Sequence, residues 1–241
     1  MRIGMLLTPD NAIDPELWRW CPPEVSLHIT RTPHVEMHGL DDMEASILVS
    51  EPGAVEPAVR SLPPIDPAVI VFGCTSGSFV RGLKGESAMR RTMREAGGRQ
   101  AITTFGAMLA AFAALELHRI AIVTPYDDRF TGRLVGLCRE AGHEVTGVAS
   151  MRPTDLNAMA AEDVVSLAEQ AMATEADGLF ISCTALETIE LLAPLQKRYG
   201  VPVLSAVQVT MCAALAAAGA SFPVGRGELF DRRLAPGVTR A

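Results

Sequence analysis

The sequence is poor in aromatic residues, in positive charge and in long apolar runs. Aromatics make up 5% of an otherwise ordinary globular composition, 49% hydrophobic and 20% charged. A formal net charge of −7 without a basic cluster argues against a nucleic-acid binder. It leaves a small anion open, because backbone N–H groups and hydroxyls hold a carboxylate even in an acidic protein. No window approaches the ~18 uninterrupted apolar residues of a membrane span; the most apolar stretch, residues 212–220, is alanine-rich and short. Residues 1–9 carry one positive charge and a brief apolar run but no cleavage site, so no secretory leader is expected. Five cysteines, an odd number without close spacings, predict free thiols in a reducing compartment, and so a cytoplasmic protein. Neither a Gly-x-Gly-x-x-Gly after the first strand nor a phosphate loop is present, which argues against a nucleotide cofactor. Metal binding has no Cys-x-x-Cys or His-Glu-x-x-His behind it; His34 and His38 are four apart in a stretch without helical period.

What is present is an alternation of apolar, β-branched runs with longer segments of helical period, the pattern of a parallel α/β fold. The runs predict strands at 2–8, 25–30, 68–72, 101–104, 119–124, 144–149, 178–182 and 202–204. Their near-continuous hydrophobicity fits strands covered on both faces. Helices are predicted at 52–61, 86–96, 107–117, 127–141, 160–175, 185–199 and 207–218, punctuated by Gly97-Gly98, Gly142, Gly200 and Gly219. Asp155 stands where it would cap the region 157–175. Residues 32–51 read as a loop with a short helix over the site, residues 222–241 as a peripheral extension, and His118 and His143 as exposed turn residues.

Two stretches carry the chemistry. Val69-Ile-Val-Phe-Gly-Cys74-Thr75-Ser76 and Gly178-Leu-Phe-Ile-Ser-Cys183-Thr184 each end a strand-length apolar run on a Cys-Thr pair, and both read as leading into a helix. A thiol at a helix N-terminus meets free N–H donors and can have its pKa lowered. The openings Arg2-Ile-Gly-Met-Leu-Leu-Thr8-Pro9 and Arg119-Ile-Ala-Ile-Val-Thr124-Pro125 also match, 117 positions apart against 109 for the two cysteines. Two motifs in the same order at a similar offset suggest two similar halves. Sites in open α/β sheets lie at the carboxyl ends of the strands, so facing halves would bring Cys74 and Cys183 to one cleft. Two thiols there can move a proton on opposite faces of a molecule, or one can attack while the other donates. The plainer reading is two buried cysteines acting as small hydrophobes, as read for Cys21, Cys138 and Cys212.

These residues resemble the aspartate/glutamate racemase superfamily, and within it the branch of maleate cis-trans isomerases and arylmalonate decarboxylases. The resemblance rests on residues 2–11, Gly73-Cys74-Thr75-Ser76, Val123-Thr124-Pro125-Tyr126, Ser182-Cys183-Thr184 and Gly200-Val-Pro-Val-Leu-Ser205-Ala206. It implies two pseudo-symmetric Rossmann-like lobes, each a parallel, mainly four-stranded sheet flanked by helices, with a cofactor-free site between them. The expected division is 1–105 and 106–205, with 206–241 packing back onto the first lobe. The resemblance implies a small carboxylate substrate, with a homodimer or higher homo-oligomer as a further expectation. By resemblance to the isomerases, Cys74 adds as a thiolate to a cis-enedioate of the maleate type and Cys183 assists from the other face. Asn11, Thr75, Ser76, Tyr126, Asn157 and Thr184 match positions that bind carboxylates or orient thiols. Asn11 as a turn residue and Tyr126 as a strand-end aromatic are the plainer alternatives. The decarboxylases carry Gly where Cys74 stands, and glutamate racemases a His where Ala185 stands; both departures favour the isomerase. A two-cysteine racemase or epimerase of an acidic amino acid, an arylmalonate-type decarboxylase and a catalytically silent small-acid binder remain as alternatives. The Thr8-Pro9-Asp10 run departs from the isomerase pattern, and Asp10 would repel a carboxylate unless it points away or is protonated.

Overall fold

The computed structural model describes residues 1–34, 36, 39–222 and 229. Among the described residues, eight strands form two parallel sheets. In the first, β1 (Arg2–Leu7), β2 (Ser26–Arg31), β3 (Val69–Phe72) and β4 (Ala101–Thr103) run in the order β2-β1-β3-β4. In the second, β5 (Arg119–Thr124), β6 (Glu144–Ser150), β7 (Gly178–Ile181) and β8 (Val203–Ser205) repeat that order as β6-β5-β7-β8. Every strand falls within one residue of its predicted bounds. The inner strands β3 and β7 are buried at every position, whereas the edge strands β2 and β6 are partly open. Covered faces on the inner strands explain why their sequences are continuously apolar.

Ten α-helices accompany them among the described residues: α1 (Asp14–Arg19), α2 (Asp42–Val49), α3 (Pro52–Arg60), α4 (Thr75–Phe79), α5 (Gly82–Glu95), α6 (Thr104–Ala114), α7 (Asp128–Glu140), α8 (Ala161–Ala171), α9 (Ile189–Tyr199) and α10 (Ala206–Ala218). The alanine-rich α6 and α10 pack on each other, and α10 also lies against β1, β3, β4 and β8. Small side chains let two helices and the sheets approach closely, and Thr104 and Thr210 hydrogen bond at 2.9 Å inside that contact. Close approach also fixes Gly147. It follows a register shift between β5 and β6, and a Cβ there would lie 1.9 Å from the Ala171 carbonyl oxygen.

Three readings need correction. Residues 185–188 do not begin a helix: α9 starts only at Ile189, after a turn in which Cys183 has φ +84°. α1 was not foreseen, because six residues are too few to show a period. His143 is half-buried rather than exposed; its Nδ1 is 2.9 Å from the Leu117 carbonyl oxygen and its ring meets Phe112 edge-on. The short helix expected within residues 32–51 is α2, closed at its start by a reciprocal Asp41–Glu44 capping box. Asp155 accepts from the Asn157 N–H, capping a single 3₁₀ turn at Leu156–Ala158. His38 and all but Phe222 and Leu229 of the expected C-terminal extension lie outside the described residues. No helix among the described residues is long and apolar enough to cross a membrane.

Candidate active site

The two sheets present their chemistry at equivalent points. Gly73 donates its N–H to Leu6 O at 2.8 Å, continuing the β1–β3 ladder, and Ser182 donates to Val123 O at 2.8 Å, continuing β5–β7. The next residues are Cys74 and Cys183, so the thiols occupy matching positions in two copies of one topology. Gly73 is closely packed: a Cβ would stand 2.9 Å from Leu7 Cδ2 and 3.0 Å from Met5 Sδ, so those side chains would have to shift to admit it.

Beyond that point the halves differ. Cys74 keeps extended backbone (φ −136°) as the N-cap of α4, and its Sγ accepts the Gly77 N–H at 3.4 Å. The Ser76 hydroxyl lies 3.5 Å from the same sulfur. Ser78 braces α4 against α6, donating to Thr75 O and accepting the Phe105 N–H. Cys183 instead has the left-handed backbone that favours glycine, a conformation that costs about 1–3 kcal/mol and persists only where surroundings enforce it. Its Sγ accepts the Ala185 N–H at 3.4 Å.

Both thiols are almost closed off, at 7% and 8% exposure, and burial decides their ionisation. Burial pushes the Cys74 thiol up, against the Ser76 hydroxyl and Gly77 N–H that favour the thiolate. Burial likewise pushes Cys183 up to about 12, against the Ala185 N–H and the Tyr126 hydroxyl. The expected lowering by a helix N-terminus is therefore outweighed, because desolvation penalises the charged form more than one or two N–H groups repay. Asp10, exposed at the rim, pushes both thiols further up.

Other predicted residues fall around this pair. Tyr126 is buried against Phe79 and Phe130, and Ser182 donates to its hydroxyl at 3.4 Å. Burial holds that phenol well above its ordinary pKa. Thr75 is 1% exposed, and its hydroxyl has no hydrogen-bond partner among the described residues. Thr184 and Asn11 stitch the two halves together: Thr184 Oγ1 donates to Gly73 O at 2.9 Å, and Asn11 Nδ2 donates to Thr184 O at 3.2 Å. Asn11 Oδ1 also accepts the Ile13 N–H, so its turn role and its cleft position coexist. Asn157 is exposed, with Nδ2 on the Asp10 carbonyl. Two surface cavities of about 230 and 320 Å³ flank α5, and neither thiol lines them. Sequence reasoning missed Ser182, which orients Tyr126, and the buried Glu16, which meets the loop after Cys183. Ser182 was visible as the neighbour of Cys183; Glu16 looks like any acidic residue in a helix's first turn.

Fold and site define a two-lobed α/β protein with paired thiols at the closed seam between its sheets. A sequence model of the arylmalonate decarboxylase family matches residues 35–230. Arylmalonate decarboxylase from Bordetella bronchiseptica is 34% identical over 171 residues, covering 68% of this chain and 71% of that protein. Maleate isomerase from Nocardia farcinica is 26% identical over 220 residues, 85% of each chain. A solved structure of a cysteine-to-serine mutant of the Nocardia maleate cis-trans isomerase, holding a covalently bound succinylcysteine intermediate, shares the fold. It has a TM-score of 0.79 at 23% identity, over 95% of this chain and 97% of that one. The chain belongs to the arylmalonate decarboxylase family, in the maleate isomerase/arylmalonate decarboxylase branch of the aspartate/glutamate racemase-like superfamily.

Proposed function

We propose that the protein is a cis-trans isomerase of a small cis-enedioate, most simply maleate, with Cys74 as nucleophile and Cys183 as acid and base. The observation that carries this reading is the pair of buried thiols at equivalent strand ends. The Cys74 proton leaves to water on activation, and the Ser76 hydroxyl and Gly77 N–H stabilise the thiolate. The thiolate forms a C–S bond to one alkene carbon while the Cys183 thiol protonates the other, leaving a single bond free to rotate. Cys183 then takes that proton back, the C–S bond breaks, and the trans alkene leaves with Cys74 again a thiolate. Atoms and charge balance without an external electron carrier. The succinylcysteine named in the Nocardia isomerase mutant is the corresponding adduct in that protein. The Thr75 hydroxyl, buried without a hydrogen-bond partner among the described residues, is suited to a substrate carboxylate.

The second reading is decarboxylation of an arylmalonate, favoured by the 34% identity to arylmalonate decarboxylase. Incubation with maleate followed by proton NMR separates the two: conversion of the maleate vinyl signal to fumarate supports the isomerase. Release of CO2 from an arylmalonate, with maleate untouched, overturns it.

A further inference from the structure

The two thiols are held by different means. After Cys74 the chain enters α4 at once, so local hydrogen bonds order the segment. After Cys183 the helix is delayed to Ile189, the backbone at Cys183 is left-handed, and Thr188, the N-cap of α9, makes no capping bond from its own side chain. Order in residues 183–188 therefore comes from elsewhere in the molecule.

It comes from the first half. Glu16, on α1, is 3% exposed. Its Oε2 accepts the Thr188 N–H at 2.7 Å and its Oε1 the Thr188 hydroxyl at 3.0 Å, with the Trp20 indole N–H on Oε1 at 3.4 Å. The Ile189 N–H also faces the carboxylate. The Thr188 hydroxyl lies 2.8 Å from Ser205 Oγ, which caps α10. Arg19 pairs with Glu190 on the rim of the same contact. Glu16 thus caps α9 from across the molecule, and a carboxylate on helix N-terminal N–H groups is a favourable partner. Asn11, on the same β1–α1 connection, holds the other end of the loop through Thr184 O. One short stretch of the first half clamps both ends of the segment that carries the second half's thiol.

We propose that Glu16 is the positioning residue for Cys183, a buried carboxylate that sets the loop 183–188 so that this thiol reaches the substrate. The inference rests on the two-thiol reading for its kinetic consequence, while its structural consequence stands without it. Glu16 touches no substrate. It acts through Thr188 and the loop, and it matters for proton transfer at Cys183 and not for attack by Cys74.

The test uses the full chain with Glu16→Gln, which keeps shape but turns an NH2 group or a weaker acceptor toward the Thr188 donors. Iodoacetamide labelling followed by peptide mass mapping reads the two thiols separately. The expected result is about a fivefold or greater rise in the labelling rate of Cys183 relative to Cys74, as the clamped loop opens. With maleate, kcat is expected to fall about tenfold or more with KM changed less than about threefold, since small misplacement of a reacting group has effects of this size. A folded Glu16→Gln protein with an unchanged Cys183-to-Cys74 labelling ratio overturns the proposal, even if its melting temperature falls; that outcome makes Glu16 a helix cap only. If the wild type leaves maleate unchanged, the isomerase reading fails and the labelling ratio still decides the role of Glu16. Should Glu16→Gln not fold, Thr188→Val, which keeps the N–H bond and removes only the hydroxyl, decides in its place: a twofold or greater shift of the ratio in the same direction supports the clamp, and an unchanged ratio overturns it.

Discussion

Asp10 and Thr75 show the site's electrostatics most directly. Asp10 is the charged side chain that raises both thiols, and it would repel a dianionic substrate. Asp10→Asn is therefore expected to increase kcat/KM for maleate about threefold to tenfold, the scale of the ~1 kcal/mol between two charges a few ångströms apart when bulk water screens them, as it does at an exposed side chain. Steady-state rates at neutral pH check this, and a fall would show that the carboxylate serves the reaction. Thr75 makes the opposite trade. Its buried, unpartnered hydroxyl carries a desolvation penalty of about 1–3 kcal/mol. Thr75→Val should leave the melting temperature equal or slightly higher while raising KM about tenfold, measured by calorimetry and initial rates. The conflict between Asp10 and a dianion was legible in the sequence, but the state of Thr75 was not, since there it is one hydroxyl after a cysteine. Its burial and lack of a partner are facts of packing.

At the level of elements, the strands were legible because inner strands of a parallel sheet have no solvent face, so their apolar runs are unbroken and bounded by turn residues. Helices with a period and a cap were legible for the same kind of reason. The loop after Cys183 was not: Ala185, Leu186 and Glu187 favour helix by propensity, yet the left-handed turn at Cys183 delays α9 to Ile189. Tertiary clamping by Asn11 and Glu16 overrides local preference there. Gly147 is a place where element packing is unforgiving, since β6 touches the α8 carbonyl at Ala171. Gly147→Ala should lower stability by about 1–3 kcal/mol, the usual scale for overpacking, seen as a reduced melting temperature with the site chemistry unchanged. A neutral result would mean that β6 can shift away from α8.

For the whole molecule, the repeated strand order β2-β1-β3-β4 and β6-β5-β7-β8 accounts for why two short sequence echoes sufficed to place two thiols at equivalent points. Sequence did not reveal how tightly the halves close. Asn11 and Thr184 bridge them at the thiols, while Asp41 pairs with Arg129 and Asp42 with Arg152 farther out. Closure is what buries the thiols and raises their pKa values, so it also sets the pH dependence. Cys74 must ionise from a thiol pushed above its ordinary value, and kcat/KM should still be climbing at about pH 9. Cys183, pushed up to about 12, stays protonated through that range, so no descending limb is expected below about pH 10. A bell-shaped profile centred near pH 7 would show that one thiol is ionised at rest.

The most direct measurement is intact-mass and peptide mapping of the Cys183→Ser protein incubated with maleate. The two-thiol mechanism predicts a covalent adduct of one substrate mass on Cys74, with water supplying the proton that the Cys183 thiol otherwise delivers, and with turnover lost because the serine hydroxyl, a far weaker acid than a thiol, does not take that proton back. An unmodified Cys74, or a folded Cys183→Ser protein that isomerises maleate at the wild-type rate, would contradict it.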